Sequence, residues 1–346
     1  VVNVVPTGKY TLLDLLGFPV SRGKVIIAFC IFTVIQVSAF IPAYMQGRPR
    51  IFEIILTPVV APDLPVFDAM IYGQLGGDGV EGEVMLTRPM AAIRAHDRIY
   101  VSDTGNNRVQ VFDAAGRPLF LFGGRGREQG QFLFPYGLAA TVDRLFVADL
   151  YAGTIQMFDL EGNFIGYFGE QAASDGLLSG PGALFIAGDR LYVTDINRHR
   201  VLVFNLDDGQ LLREVGMEED ILAPNGVAVD DNGYIYVSSA GRQRIAVYTP
   251  EGRPLRFING STDGHGQSVL LNPRGVAVTR DGRILAVSKM THQIVVFSSD
   301  GRVLNTFGGL GADIGQFTFP NGLYLDPAGR LFVTDTLNRR VAAYRL

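Results

Sequence analysis

Cysteine, histidine and charge are all scarce in this chain of 346 residues. The single cysteine, Cys30, excludes a disulfide framework and any zinc site built on cysteines. Only four histidines are present, His96, His199, His265 and His292, and no two are close in sequence, whereas zinc needs three or four ligands converging on one point. Charged residues make up 18 %, below the usual quarter, and the net charge is −4. That balance gives no general attraction to nucleic acid. There is no Gly-x-Ser-x-Gly elbow and no serine or threonine set by motif beside a histidine. The glycine-rich run Gly123-Gly124-Arg125-Gly126 leads into a strand where phosphate binding requires a helix N-terminus. The acidic stretches Asp207-Asp208-Gly209 and Asp230-Asp231-Asn232-Gly233 are turn chemistry, far short of a twelve-residue calcium loop. No catalytic residue, resident metal or cofactor is therefore assigned from motifs.

What the chain has is a repeat. Pro320 to Tyr344 holds three short apolar runs rich in β-branched and aromatic residues, separated by Asp-Pro-Ala-Gly and by a polar loop, which is the pattern of an antiparallel meander. The same unit recurs after Pro89, Pro135, Pro181, Pro224 and Pro273, at spacings of 46, 46, 43, 49 and 47 residues. That period is the one expected when each unit is a four-stranded propeller blade, and six copies fit. The expectation is an all-β, six-bladed β-propeller over residues 66–346. The last copy ends after three strands, so the segment 66–76, which matches the fourth-strand segments Pro118–Gly124 and Arg302–Gly309, is expected to close the final blade and leave no free edge.

The region before the repeat is different in kind. Residues 1–24 carry Lys9, Arg22 and Lys24 around a leucine-rich patch, which suits a short interfacial helix and equally a leader without fixed structure. Residues 25–45 then run for 21 positions without a charge. About 20 apolar residues span the hydrocarbon core of a bilayer, so a single N-terminal transmembrane helix is expected here. The small residues Val37-Ser38-Ala39 also fit a signal-peptide cleavage site, but the long basic n-region favours an uncleaved anchor. A thin excess of basic residues before the span places the N-terminus in the cytoplasm and the propeller in the periplasm or outside the cell. Residues 46–65, with four prolines, are a semi-rigid linker.

The units resemble NHL repeats. Val101-Ser102-Asp103-Thr104-Gly105-Asn106-Asn107-Arg108-Val109 and Val333-Thr334-Asp335-Thr336-Leu337-Asn338-Arg339-Arg340-Val341 carry that family's Val-x-Asp and Asn-x-Arg-Val pattern almost in full. The linkers from Phe122 to Phe132 and from Phe307 to Phe317 also look like its inter-blade loops. The resemblance covers residues 66–346 and implies the fold. It is poor for function, because sites are grafted onto such a scaffold case by case.

The recurring pairs Asp103/Arg108, Asp195/Arg200 and Asp335/Arg340 share a spacing of five, suited to a charge-assisted bond pinning one loop. Recurrence in several blades points to packing. Blades four and five place Ser239 and Ser288 at the aspartate position, and blade two keeps Asp149 without an arginine. The residues opening each innermost strand should line the channel mouth, and of these Tyr136, Asn225, Arg274 and Asn321 are the candidates for binding a polar group. That ring holds no carboxylate, so it is poorly suited to the calcium or zinc that gluconolactonase-like and amidating-lyase-like relatives hold in the channel. Arg198, His199, Arg242, His292 and Arg339 fall in equivalent rim loops and are the candidates for partner binding. Relatives with this repeat bind RNA through a basic upper surface, but a propeller outside the cell has no such partner. The expectation is a non-catalytic scaffold or accessory subunit of a membrane complex that binds protein through its loop face. The alternative is a lactonase- or lyase-like hydrolase, or a small-ligand sensor, working at the channel mouth.

Overall fold

The apolar runs that recur from repeat to repeat form strands. In a computed structural model of the chain, residues 65–74, 84–169, 176–216, 220–261 and 264–346 are described, together with two short strands nearer the N-terminus, Ile35–Gln36 and Thr57–Pro58, which pair antiparallel. The chain divides into the units Val1–Leu64 and Pro65–Leu346. The expected membrane span 25–45 lies outside the described residues except at Ile35–Gln36, where the backbone is extended rather than helical. Among the described residues no helix is long and apolar enough to cross a membrane.

Pro65–Leu346 is a six-bladed β-propeller, each blade a four-stranded antiparallel sheet, with the strands in chain order in blades 1 to 5. Blade 1 holds Ala92–Ala95, Arg98–Asp103, Arg108–Asp113 and Pro118–Gly123. The innermost strands of blades 2 to 6 are Pro135–Ala140, Pro181–Ala187, Pro224–Val229, Pro273–Val278 and Pro320–Leu325. Blade 6 takes its fourth strand from the other end of the domain. Val66–Ile71 pairs with Arg340–Arg345, placing Ile71 opposite Val341 and Val66 opposite Arg345. Asp68 pins this closure, 2.7 Å from Arg330 on one side and 2.7 Å from Arg345 on the other.

The core sits between blades. Six apolar clusters are found among the described residues, each joining one blade to the next around the ring. Tyr100, Val109 and Val111 of blade 1 meet Leu138, Leu145 and Phe158 of blade 2, and Phe332 and Val341 of blade 6 meet Ile99 and Phe112 of blade 1. Second strands such as Leu145–Asp149 are consequently buried along their whole length, because a neighbouring sheet covers each face. The fourth strand faces outward, and in Pro118–Gly123 only Phe120 and Phe122 are half-buried while the rest are exposed.

The Pro-x-Gly start of the inner strands has a steric cause. Neighbouring inner strands approach so closely at the axis that a Cβ on Gly226 would lie 2.5 Å from the Arg274 carbonyl oxygen, and one on Gly322 would lie 2.4 Å from that of Met90. The glycine-rich inter-blade loops likewise serve packing. Gly123, with φ near +102°, lies against the Phe132 ring, and that loop delivers Phe132 fully buried into the core between blades 1 and 2.

Candidate functional site

One face of the ring carries the loops joining second to third strands and those linking blade to blade. The motif carboxylates anchor this face. Asp103 is fully buried; its Oδ1 accepts the Thr87 N–H at 2.6 Å, and its Oδ2 accepts from Asn106, Arg108 and Gln110 at 2.8 to 2.9 Å. Asp335 repeats this with the Thr318 N–H, Asn338 and Arg340. The Arg200 guanidinium is 3.5 Å from Asp195 and makes a closer pair, 2.7 Å, with Glu214. Asp149, which lacks an arginine, accepts four backbone N–H groups instead, from Leu133, Phe134, Tyr151 and Ala152. Ser239 and Ser288 perform the same anchoring where the aspartate is missing, accepting the N–H of Leu222 at 2.8 Å and of Leu271 at 2.9 Å. Every blade thus ties the loop entering its inner strand to the end of its second strand.

A second device binds blade to blade. The residue four positions after the motif Asp or Ser adopts positive φ in all six blades: Asn107, Gly153, His199, Gln243, His292 and Arg339. In four of the six the side chain reaches the chain leading into the next blade. His199 Nδ1 accepts the Ala223 N–H at 3.2 Å and His292 Nδ1 accepts the Phe319 N–H at 3.0 Å. Asn107 donates to the Leu133 carbonyl at 2.6 Å, and Arg339 Nε donates to the Leu86 carbonyl at 3.0 Å, joining blade 6 to blade 1. The two histidines expected as exposed rim residues are therefore half-buried inter-blade staples, and Arg339 shares that work. Arg198 and Arg242 remain exposed, with Arg198 donating to the Leu177 carbonyl at 3.2 Å.

The four channel-mouth candidates come together on the axis and bond to one another. The Tyr136 hydroxyl donates to Asn225 Oδ1 at 3.1 Å and lies 3.2 Å from Asn321 Nδ2, which donates to it. Arg274 Nη1 also donates to Asn225 Oδ1, and Asn321 Nδ2 donates to the Met90 carbonyl at 3.1 Å. Tyr136, Asn225 and Asn321 are each at most 5 % exposed, so together they plug this end of the channel. Behind the plug lies a cavity of about 270 Å³ lined by inner-strand residues including Ala92, Leu138, Leu184, Val227, Val276 and Leu323. At its far end Arg94 pairs with the buried Asp326 at 3.0 Å, and the Tyr324 hydroxyl donates to the Arg94 carbonyl. Burial, reinforced by the neighbouring Asp326 carboxylate, pushes the Tyr324 phenol up to about 12, so it is a donor throughout the physiological range.

Among the described residues no group of three or more His, Cys, Asp or Glu converges as a metal site. The mostly apolar wall offers a small molecule shape and burial, with polar contacts confined to the two ends. Sequence reasoning missed two groups on the loop face. One is a set of large apolar side chains, Tyr151, Met290, Leu310, Ile314 and Leu337, more than half exposed. The other is Lys289, which burial first, and then the charges of Arg274 and Arg88, lower to about 8.

This fold is that of the six-bladed propellers among solved structures. A gluconolactonase from Xanthomonas campestris matches with a TM-score of 0.57 at 18 % identity, covering 82 % of this chain and 95 % of that one. Virginiamycin B lyase from Staphylococcus aureus matches with a TM-score of 0.55 at 11 % identity, covering 78 % and 82 %. At these identities the likeness is one of fold. No family model matches the chain. In sequence, the protein brain tumor of Drosophila melanogaster is 38 % identical over 73 residues, or 21 % of this chain, and the match spans 7 % of that protein's length.

Proposed function

We propose that this chain is a membrane-held, non-catalytic scaffold, an accessory subunit whose NHL-like propeller binds a protein partner through its loop face. The observation that carries the reading is the exposure of Tyr151, Met290, Leu310, Ile314 and Leu337 on that face, between 51 % and 69 %, beside the exposed Arg198 and Arg242. Large apolar and arginine side chains on loops held by a rigid ring are the composition of protein-binding surfaces. The local similarity to protein brain tumor supports the NHL-like reading of the repeat. The uncharged run 25–45 supports a membrane span with the propeller on the periplasmic or extracellular side. A helix there requires the Ile35–Gln36 pairing to give way. A bilayer supplies the drive, since a backbone not internally bonded is costly in hydrocarbon. The test is a Leu310→Glu, Ile314→Glu double variant, with both positions exposed and free of core packing. Loss of the co-purifying partner with an unchanged melting temperature is expected; retention of the partner would remove this face from the interface.

A second reading draws on the cavity. Two solved neighbours are a lyase and a gluconolactonase, and about 270 Å³ is enough for a small ligand. In this reading Tyr136, Asn225, Arg274 and Asn321 contact a ligand and the chain is a hydrolase or sensor. Their mutual bonding at the mouth weighs against it, because ligand entry from that side must first break the plug.

A further inference from the structure

The central cavity is closed at the loop face and open at the other. The innermost strands begin at the loop face, since the blade-to-blade loops lead into them, and run toward the opposite face. Their opening prolines are buried in every blade, and one position further Tyr136, Asn225 and Asn321 close the channel by bonding to one another. Three positions after the prolines, from Ala92 round to Leu323, the residue is aliphatic in all six blades. Five positions after them lie Arg94, Ala140, Ile186, Val229, Val278 and Leu325. All six line the cavity and all six are half-buried, so solvent reaches the cavity at this level. Among the described residues that line it, Arg94 alone is charged. Its Nη1 donates to the buried Asp326 at 3.0 Å and its Nε to the His96 carbonyl at 3.1 Å, which fixes the guanidinium at the rim without engaging Nη2. The described lining holds no serine, threonine, cysteine, histidine, lysine or carboxylate, so it offers shape and burial rather than a nucleophile.

We propose that this cup binds a small uncharged molecule, mainly hydrocarbon with one hydrogen-bond acceptor, that enters from the face opposite the loop face. The size follows from the volume: an apolar cavity of about 150 Å³ takes benzene, so about 270 Å³ takes a molecule of about ten non-hydrogen atoms. The lack of charge follows from the wall. An ion would leave water for aliphatic side chains and for a guanidinium already paired with Asp326, and burying an unpaired ion is costly. The acceptor follows from Arg94, whose Nη2 can give it a charge-assisted bond at the rim while the hydrocarbon body lies against the aliphatic ring below. In the enzyme or sensor reading the ligand meets Tyr136, Asn225, Arg274 and Asn321 from the loop face; here the plug is the floor and stays intact. The pocket is independent of a protein partner, because the two sites lie on opposite faces.

The test uses the whole chain with methyl-labelled leucine and valine and three probes of equal size and similar shape. Acetophenone carries a neutral acceptor, isopropylbenzene none, and benzoate a charge. Acetophenone is expected to shift the methyl signals of Leu184, Val227, Val276 and Leu323 saturably, and to leave those of Leu310 and Leu337 on the loop face unmoved. Isopropylbenzene should bind about tenfold more weakly, as expected for loss of a bond to a charged donor, and benzoate should not bind. Ala140→Phe and Val278→Phe, which fill the rim without touching the plug, should each abolish binding, whereas the Leu310→Glu, Ile314→Glu double variant should bind as the parent does. Arg94→Lys keeps a cation beside Asp326 but loses the fork, and should bring acetophenone down to the level of isopropylbenzene. The proposal is overturned if acetophenone moves none of the four cavity methyls, if isopropylbenzene or benzoate binds as well as acetophenone, or if both rim variants bind as the parent does.

Discussion

Asp335 and Ser239 occupy the same register in different blades and anchor the same loop, yet they differ in what is lost when they are removed. Asp335 is fully buried against Arg340, itself 3 % exposed, so Asp335→Ala strands a guanidinium as well as the Thr318 N–H. Breaking one side of a buried pair costs about 3–5 kcal/mol. Ser239→Ala leaves only the Leu222 N–H unsatisfied, which costs about 1–3 kcal/mol. Urea unfolding should therefore rank the two variants in that order, and equal losses would show that Arg340 is held by its other acceptors. Lys289 gives a prediction of opposite sign. Its folded-state value, about 8, lies below the ordinary 10.5, so the native chain releases this proton first. Stability withheld while Lys289 is charged returns as pH rises from about 8 toward 10.5. Lys289→Met is expected to raise stability at neutral pH and to flatten that rise, measured as melting temperature against pH. An unchanged profile would mean that the ammonium is solvated.

At the scale of the element, the closing strand Val66–Ile71 completes blade 6 by pairing with Arg340–Arg345. Removing residues 66–71 leaves the backbone groups of Arg340–Arg345 unpaired and Asp68 no longer bridges Arg330 to Arg345. An open strand edge is a template for another chain, so the truncated propeller is expected to associate, seen as a rise in mass by light scattering. A monomer as stable as the parent would contradict a closure role. The blades were legible in the sequence because proline, glycine and aspartate recur at a fixed period, and the Asp/Arg spacing of five fits the width of one loop. His199 and His292 were not legible as staples. Their partners, Ala223 and Phe319, lie 24 and 27 residues ahead in the next blade, and only the positive φ at these positions turns the rings that way. Ser239 and Ser288 read as losses of the motif, although a hydroxyl oxygen accepts the same backbone N–H as a carboxylate does.

For the whole molecule, the ring divides its labour by face and by depth. Inter-blade clusters supply the stability, and the loops bear the residues available to partners. The axis is lined by apolar side chains within and closed at the loop-face end by the bonded Tyr136, Asn225 and Asn321. Where a residue falls around the axis is set by closure of all six blades together, so the mutual bonding of Tyr136, Asn225 and Asn321 emerges only in the folded ring. Arg339 shows the consequence for experiment: its bond to Leu86 makes it a poor probe of partner binding, whereas Leu310 and Ile314 report on the face without disturbing the ring. The most direct measurement is purification of the intact chain from its native membrane in mild detergent, followed by mass spectrometry of everything retained. The account expects the chain in the membrane fraction with a stoichiometric protein partner that the Leu310→Glu, Ile314→Glu variant loses. A chain that is soluble and solitary would contradict it.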